Sequence, residues 1–146
     1  MTRLPTKALA IASNYGMTSV SQGGSSGRVP VNINAPTASN GNNIALLSLP
    51  ELPGGAGSFD LHSVTISCQE PPLEDMVFDL FQEGDPAVDL SEQVQLVLVA
   101  GSKITEVSGD PLQAGLDRTK AYSLRCTSGD TIHAQGVTVT YTIGGF

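Results

Sequence analysis

The sequence predicts an all-β fold, an antiparallel β-sandwich with about eight strands and an extended N-terminal arm. Three observations carry this. Apolar residues recur with period two in short runs. Clusters of Gly, Pro, Asn and Asp separate those runs at even spacing. No stretch holds a helical period beyond one turn, at Thr6 to Ala12 or at Asp89 to Gln93. The division expected is an arm over 1–43 and a sandwich over 44–146, since 146 residues suit one core rather than two.

The arm comes first. From Ser13 to Asn43 the chain is dominated by Ser, Asn, Gly, Gln, Thr and Pro. Such a segment buries too little apolar surface to offset its ordering entropy, so it is either a flexible leader or an arm ordered on something else. Val29-Pro-Val-Asn-Ile33 favours the arm, because it alternates apolar and polar residues. Pro30, having no amide donor, limits that stretch to a sheet edge or a bulge.

The strands follow. Ile44 to Leu49 is a short apolar run closed by Pro50 and by Pro53-Gly-Gly-Ala-Gly57. Leu61 to Gln69 alternates, with Val64, Ile66 and Cys68 on one face and Ser63, Thr65 and Ser67 on the other, and Pro71-Pro72 ends it. Met76 to Phe81 turns Met76, Phe78 and Leu80 inward, ahead of the turn Glu83-Gly-Asp-Pro86. Gln93 to Ala100 is apolar on both faces near its end, which predicts a central position. Lys103 to Val107 is closed by a turn at Ser108-Gly-Asp-Pro111, and Lys120 to Cys126 places Tyr122, Leu124 and Cys126 together. In the last segment Ile132 and Ala134 face inward, then Val137, Val139, Tyr141 and Ile143. The inward set changes parity across Gly136, which predicts a β-bulge at Gln135-Gly136.

Charge is unevenly placed. Residues 1–50 carry Arg3, Lys7 and Arg28 and no acid, whereas residues 51–110 carry twelve acids against Lys103 alone. The total of −7 excludes a nucleic-acid footprint, which needs clustered Lys and Arg, and disfavours an anionic membrane. The apolar run Ala8 to Ala12 is too short for a signal peptide, and no window approaches a membrane span. Synthesis and folding in a cytoplasm are expected, with Cys68 and Cys126 as buried, reduced thiols.

Little in the chain points to catalysis. Gly23-Gly-Ser-Ser-Gly27 spells a nucleophile elbow but has no strand-to-helix turn to strain it. His62 and His133 fall on different strands; His62 is expected at the rim of the core and His133 exposed. An EF-hand beginning at Asp79 fails because Phe81 occupies a ligand position, leaving only a loose calcium arrangement of Glu83, Asp85 and Asp89 to set against a solvated acidic face. Without Trp the usual sugar platform is missing. The reading is a non-enzyme with no catalytic residues, no metal and no cofactor.

Ser128-Gly-Asp-Thr-Ile132 leading into Gly136-Val-Thr-Val-Thr-Tyr141 resembles the last hairpin of viral and phage jelly-roll domains. In size and texture the chain resembles the small cement or decoration proteins of tailed-phage capsids. The resemblance implies a virion protein on the capsid surface that clamps neighbouring subunits of the major capsid protein and is itself a homo-oligomer, dimer or trimer. The arm residues expected at that contact are Arg3, Lys7, Arg28, Val29, Val31 and Ile33. Another phage structural part (tail, connector or head fibre) and a carbohydrate- or receptor-binding module are the alternatives.

Overall fold

The computed structural model describes residues 27–49, 57–132 and 136–145, and among these the secondary structure is strand and turn. The strands are β1 (Arg28–Ala35), β2 (Asn43–Ser48), β3 (Ser58–Ser67), β4 (Met76–Gln82) and β5 (Val88–Asp89). They continue as β6 (Gln95–Leu98), β7 (Ile104–Asp117), β8 (Ala121–Ser128) and β9 (Val137–Gly144). One sheet has the order β1-β9-β3-β7; the other runs β2-β8-β4, with β5 and β6 both paired along the far edge of β4. All pairings are antiparallel.

This strand order makes the sandwich a jelly roll. Setting aside the two-residue β5, successive strands alternate between the sheets except at β4 and β6, which are neighbours in one sheet. β1 lies against β2 and β6 against β7, so both lateral seams are covered.

Period two does what the sequence predicts. Val137, Val139, Tyr141 and Ile143 are all fully buried from β9, facing Val64 and Ile66 of β3, and Met76, Phe78 and Leu80 of β4 with Tyr122, Leu124 and Cys126 of β8 line the opposite wall. Each such side chain contributes roughly 1.5–3 kcal/mol by leaving water. The Tyr141 hydroxyl crosses the core to donate to the Ala45 carbonyl at 3.1 Å, tying the sheets together. On the outer face of the first sheet, Thr140 and Thr138 donate to Asn32 and Asn34, so β1 is held by side chains as well as by the ladder.

Three expectations are revised. The sandwich begins at Arg28 and not at residue 44: β1 is paired over its whole length with β9, because Val29, Val31 and Ala35 supply the apolar face that an edge strand needs. Pro30 sits on that edge strand, where a missing donor is tolerated. β6 is not central; it pairs with β4 alone, and Val97 and Val99 remain 42% and 55% exposed. Their β-branched chains suit a pleated surface without full burial, and Val97 has Val77 opposite it.

The turn expected at Ser108 to Pro111 is instead an excursion inside β7. Pairing with β3 jumps from Leu61↔Gln113 to Ser63↔Ser108, so the residues between leave the ladder. The same irregularity in β3 shifts parity there, so Leu61 and Val64 are both buried and His62 lies between them. At Gln135-Gly136, Gln135 lies outside the described residues, as does His133. The single turn expected near Asp89 is present: Asp89 caps the Ser91 amide at 2.8 Å, and Val94 N–H reaches the Leu90 carbonyl at 2.9 Å.

Candidate functional site

Three polar regions are built on this frame. The first is the end where β1 begins. Gly144 stands beside Arg28 and Asp60 in the register, and its missing side chain makes room for an imidazole. A Cβ there would lie 3.0 Å from His62 Nε2 and 2.9 Å from the Gly27 carbonyl oxygen. The β7 excursion carries Asp110 over this space, and Arg28 reaches across from β1 to donate to it at 2.5 Å. His62 Nδ1 lies 3.9 Å from the same carboxylate oxygen and has no hydrogen-bond partner. The pair is exposed, 47% and 83% for the two side chains, so it works as a strap across the strand ends rather than as a buried charge couple. Around it Asp60 accepts from the Gly115 amide, and Asp117 accepts from both the amide and the hydroxyl of Thr119.

The second region is the outer face of the β2-β8-β4 sheet. Asp79 is 7% exposed and accepts from Gln95 Nε2 at 2.7 Å and Thr127 Oγ1 at 2.8 Å. Glu83 accepts from Arg125 Nη2 at 2.9 and 3.1 Å and from the Ser123 hydroxyl, while the Arg125 guanidinium stacks 4.3 Å above the Phe81 ring. The Ser123 hydrogen bond, then Arg125, hold the Glu83 carboxyl below its usual pKa. These groups are turned toward one another, an arrangement that latches β4 to β8 and leaves their charges engaged internally.

The third region lies at the opposite end, where β3 has finished and β4 begins. A groove of about 390 Å³ is lined by Glu70, Pro71, Pro72 and Leu73 on one side and by Asp130, Thr131 and Ile132 on the other. Its walls are pinned: Gly101 N–H donates to the Pro72 carbonyl at 3.0 Å, and Ile132 N–H to the Ala38 carbonyl at 2.7 Å. Leu73 stands 97% exposed on the lip while Ile132 is buried in the floor. Apolar walls with acids at the rim suit a short segment bearing both apolar and cationic side chains.

Of the residues expected at a capsid contact, Val29 and Val31 are buried in the domain's own core at 2% and 0% exposure, and Ile33 packs against that core. Arg28 is engaged with Asp110. They are strand residues and not arm residues, because their alternation finds a partner in β9 within the same chain. Arg3 and Lys7 lie outside the described residues. Glu83, Asp85 and Asp89 do not assemble a cation site, since Glu83 is turned to Arg125 and Ser123 and Asp89 to the Ser91 amide. No group of three metal-ligating side chains occurs among the described residues. Cys68 and Cys126 are buried free thiols, and burial pushes both pKa values up, keeping them protonated. The groove escaped the sequence reading, in which Pro71-Pro72 marked only a strand end. The signal was Leu73, a large apolar residue set among Glu70, Glu74 and Asp75 in a turn.

No protein family and no curated protein sequence matches the chain. Among solved structures it is similar to the coat protein of Tobacco streak virus at 12% identity, over 80% of this chain and 84% of that one, with a TM-score of 0.38. The jelly-roll assignment rests on the strand order.

Proposed function

We propose that the chain is a non-enzymatic virion structural protein that binds the outer surface of an assembled capsid and clamps neighbouring major capsid subunits. One observation carries the reading: the jelly roll closes among residues 27–145, so the acid-free residues 1–26 precede a finished domain. Extended, 26 residues reach about 85 Å, enough to cross a subunit boundary. Jelly rolls serve in capsids and in lectins alike, so the fold alone does not decide; the acid-free sequence ahead of the domain supports the capsid role. With Val29, Val31 and Ile33 committed to the core, the arm's contacts fall to residues 1–26, including Arg3 and Lys7. Backbone pairing there supplies affinity with few special side chains, and repetition over a shell multiplies it.

The test is deletion of residues 1–26. The truncated chain should retain the β-sheet circular dichroism of the full chain yet fail to bind purified capsids in a sedimentation assay. Full occupancy on the shell without those residues would reject the clamp.

A further inference from the structure

We infer that the groove between Glu70–Leu73 and Asp130–Ile132 is the docking site for the N-terminal segment of a second copy of this chain. The inference deepens the reading above by naming what the arm meets at the boundary it crosses.

Charge complementarity is the first argument. The first 26 residues hold Arg3 and Lys7 and no acid, with Leu4, Ala8, Leu9 and Ile11 beside them. At the groove Glu70 and Asp130 stand on the rim and Glu74 and Asp75 flank it, all exposed, against Lys103 alone at that end. Among the described residues none of these four acids forms an ion pair. Their charge is available to a cationic segment, and the exposed Leu73 and Pro71 offer apolar surface to its alkyl side chains.

Direction is the second argument, and it favours a second copy. Arg28 pairs with Gly144 at one end of the sandwich, while Ala35 pairs with Val137 and Ala38 with Ile132 at the other. The groove is therefore a full strand length from Gly27; β3, with its 10 residues, runs about 33 Å between those ends. β1 runs from the Gly27 end toward its own groove, so a leader seated in that groove would have to reverse direction at Gly27 and run back the full strand length. A copy presenting its groove at the Gly27 end of its neighbour offers the site without that reversal. Such a contact is heterologous: the leader of one copy meets the far end of the next, and repetition closes a ring or continues around a shell.

The experiment uses the purified full chain without capsids. Chains of light and heavy nitrogen are mixed, treated with a zero-length carbodiimide cross-linker, and read by mass spectrometry alongside light-scattering mass. Expected are Lys7–Glu70 or Lys7–Asp130 links of mixed isotope and an oligomer whose dissociation constant rises about tenfold in Arg3→Glu/Lys7→Glu. Glu70→Lys/Asp130→Lys should weaken it similarly, and the two pairs combined in one chain should restore it. Leu73→Ser should weaken it in a way that added salt does not mimic. Links within one isotope only, a monomer at every concentration, or an oligomer indifferent to both charge reversals would each overturn the inference. An oligomer of this kind that fails to bind capsids would remove the clamp and leave the docking site intact, so the two failures are distinguishable.

Discussion

Acidic side chains crowd both ends of the sandwich, but they are used differently. At the Gly27 end they are spent within the fold: Asp110 holds Arg28, Asp60 caps the Gly115 amide and Asp117 caps Thr119. At the groove end Asp75 and Asp130 accept single amides, from Ala100 and Thr131, and Glu70 and Glu74 stand exposed. The first end reads as fastening and the second as surface held ready, because Asp110 holds a cation and Asp117 two donors at the first end, whereas none of the four groove acids forms an ion pair among the described residues.

The largest test of that contrast concerns what keeps the groove end rigid. Gly129 has φ of +102°, and a Cβ there would sit 2.6 Å from the Asp75 carbonyl oxygen and 2.9 Å from Met76 Cα. Gly129→Ala should cost about 3 kcal/mol in urea unfolding, since a left-handed strain and a backbone clash add. A cost near zero would mean that the Asp130 wall moves freely and the groove is not preformed. Next comes the seam between the ends. Tyr141→Phe strands the buried Ala45 carbonyl and should cost about 1–2 kcal/mol by the same measurement.

Acid titration separates the ends further. Glu83, Asp89 and Asp117, whose carboxyls are held below their usual pKa values by hydrogen bonds, all belong to the Gly27 half. A carboxyl with a lowered folded-state pKa stabilises fully above its unfolded value of about 4. That contribution is lost as pH falls through the lowered value. Glu83→Gln should therefore flatten the fall in stability below about pH 4. The smallest effects are the exposed charges: Arg28→Ala should cost about 0.2–1 kcal/mol, and Asp130→Asn at most about 0.5. A larger loss at Asp130 than at Arg28 would reverse the comparison.

What could be read from the sequence follows the periodicity. Where a strand's buried face alternates without interruption and its composition is apolar, alternation placed it, as in Val137 to Ile143 and Met76 to Leu80. The reading faltered where composition and period disagreed. The residues around β1 are polar enough to suggest a leader, yet Val29 and Val31 complete the core through a partner more than a hundred positions away, which local composition does not reveal. Gln93 to Ala100 has the hydrophobicity of a central strand, but hydrophobicity does not encode which neighbour is missing. The strap of Arg28 and Asp110 and the groove of Leu73 and Ile132 both arise from loops brought together by topology, and neither has a spacing to read.

The pairing of β1 with β9 has a consequence for how the molecule is made. The earliest described strand to leave the ribosome has its backbone partner in the last, with Thr138 and Thr140 bonding to residues 104 and 108 positions back. Until synthesis nears its close, Val29 and Val31 have no ladder to join, so maturation is largely post-translational and slow for a chain of this size. During that wait an open flank on β9 invites the wrong first strand, and copies that exchange β1 would be the characteristic misassembled product.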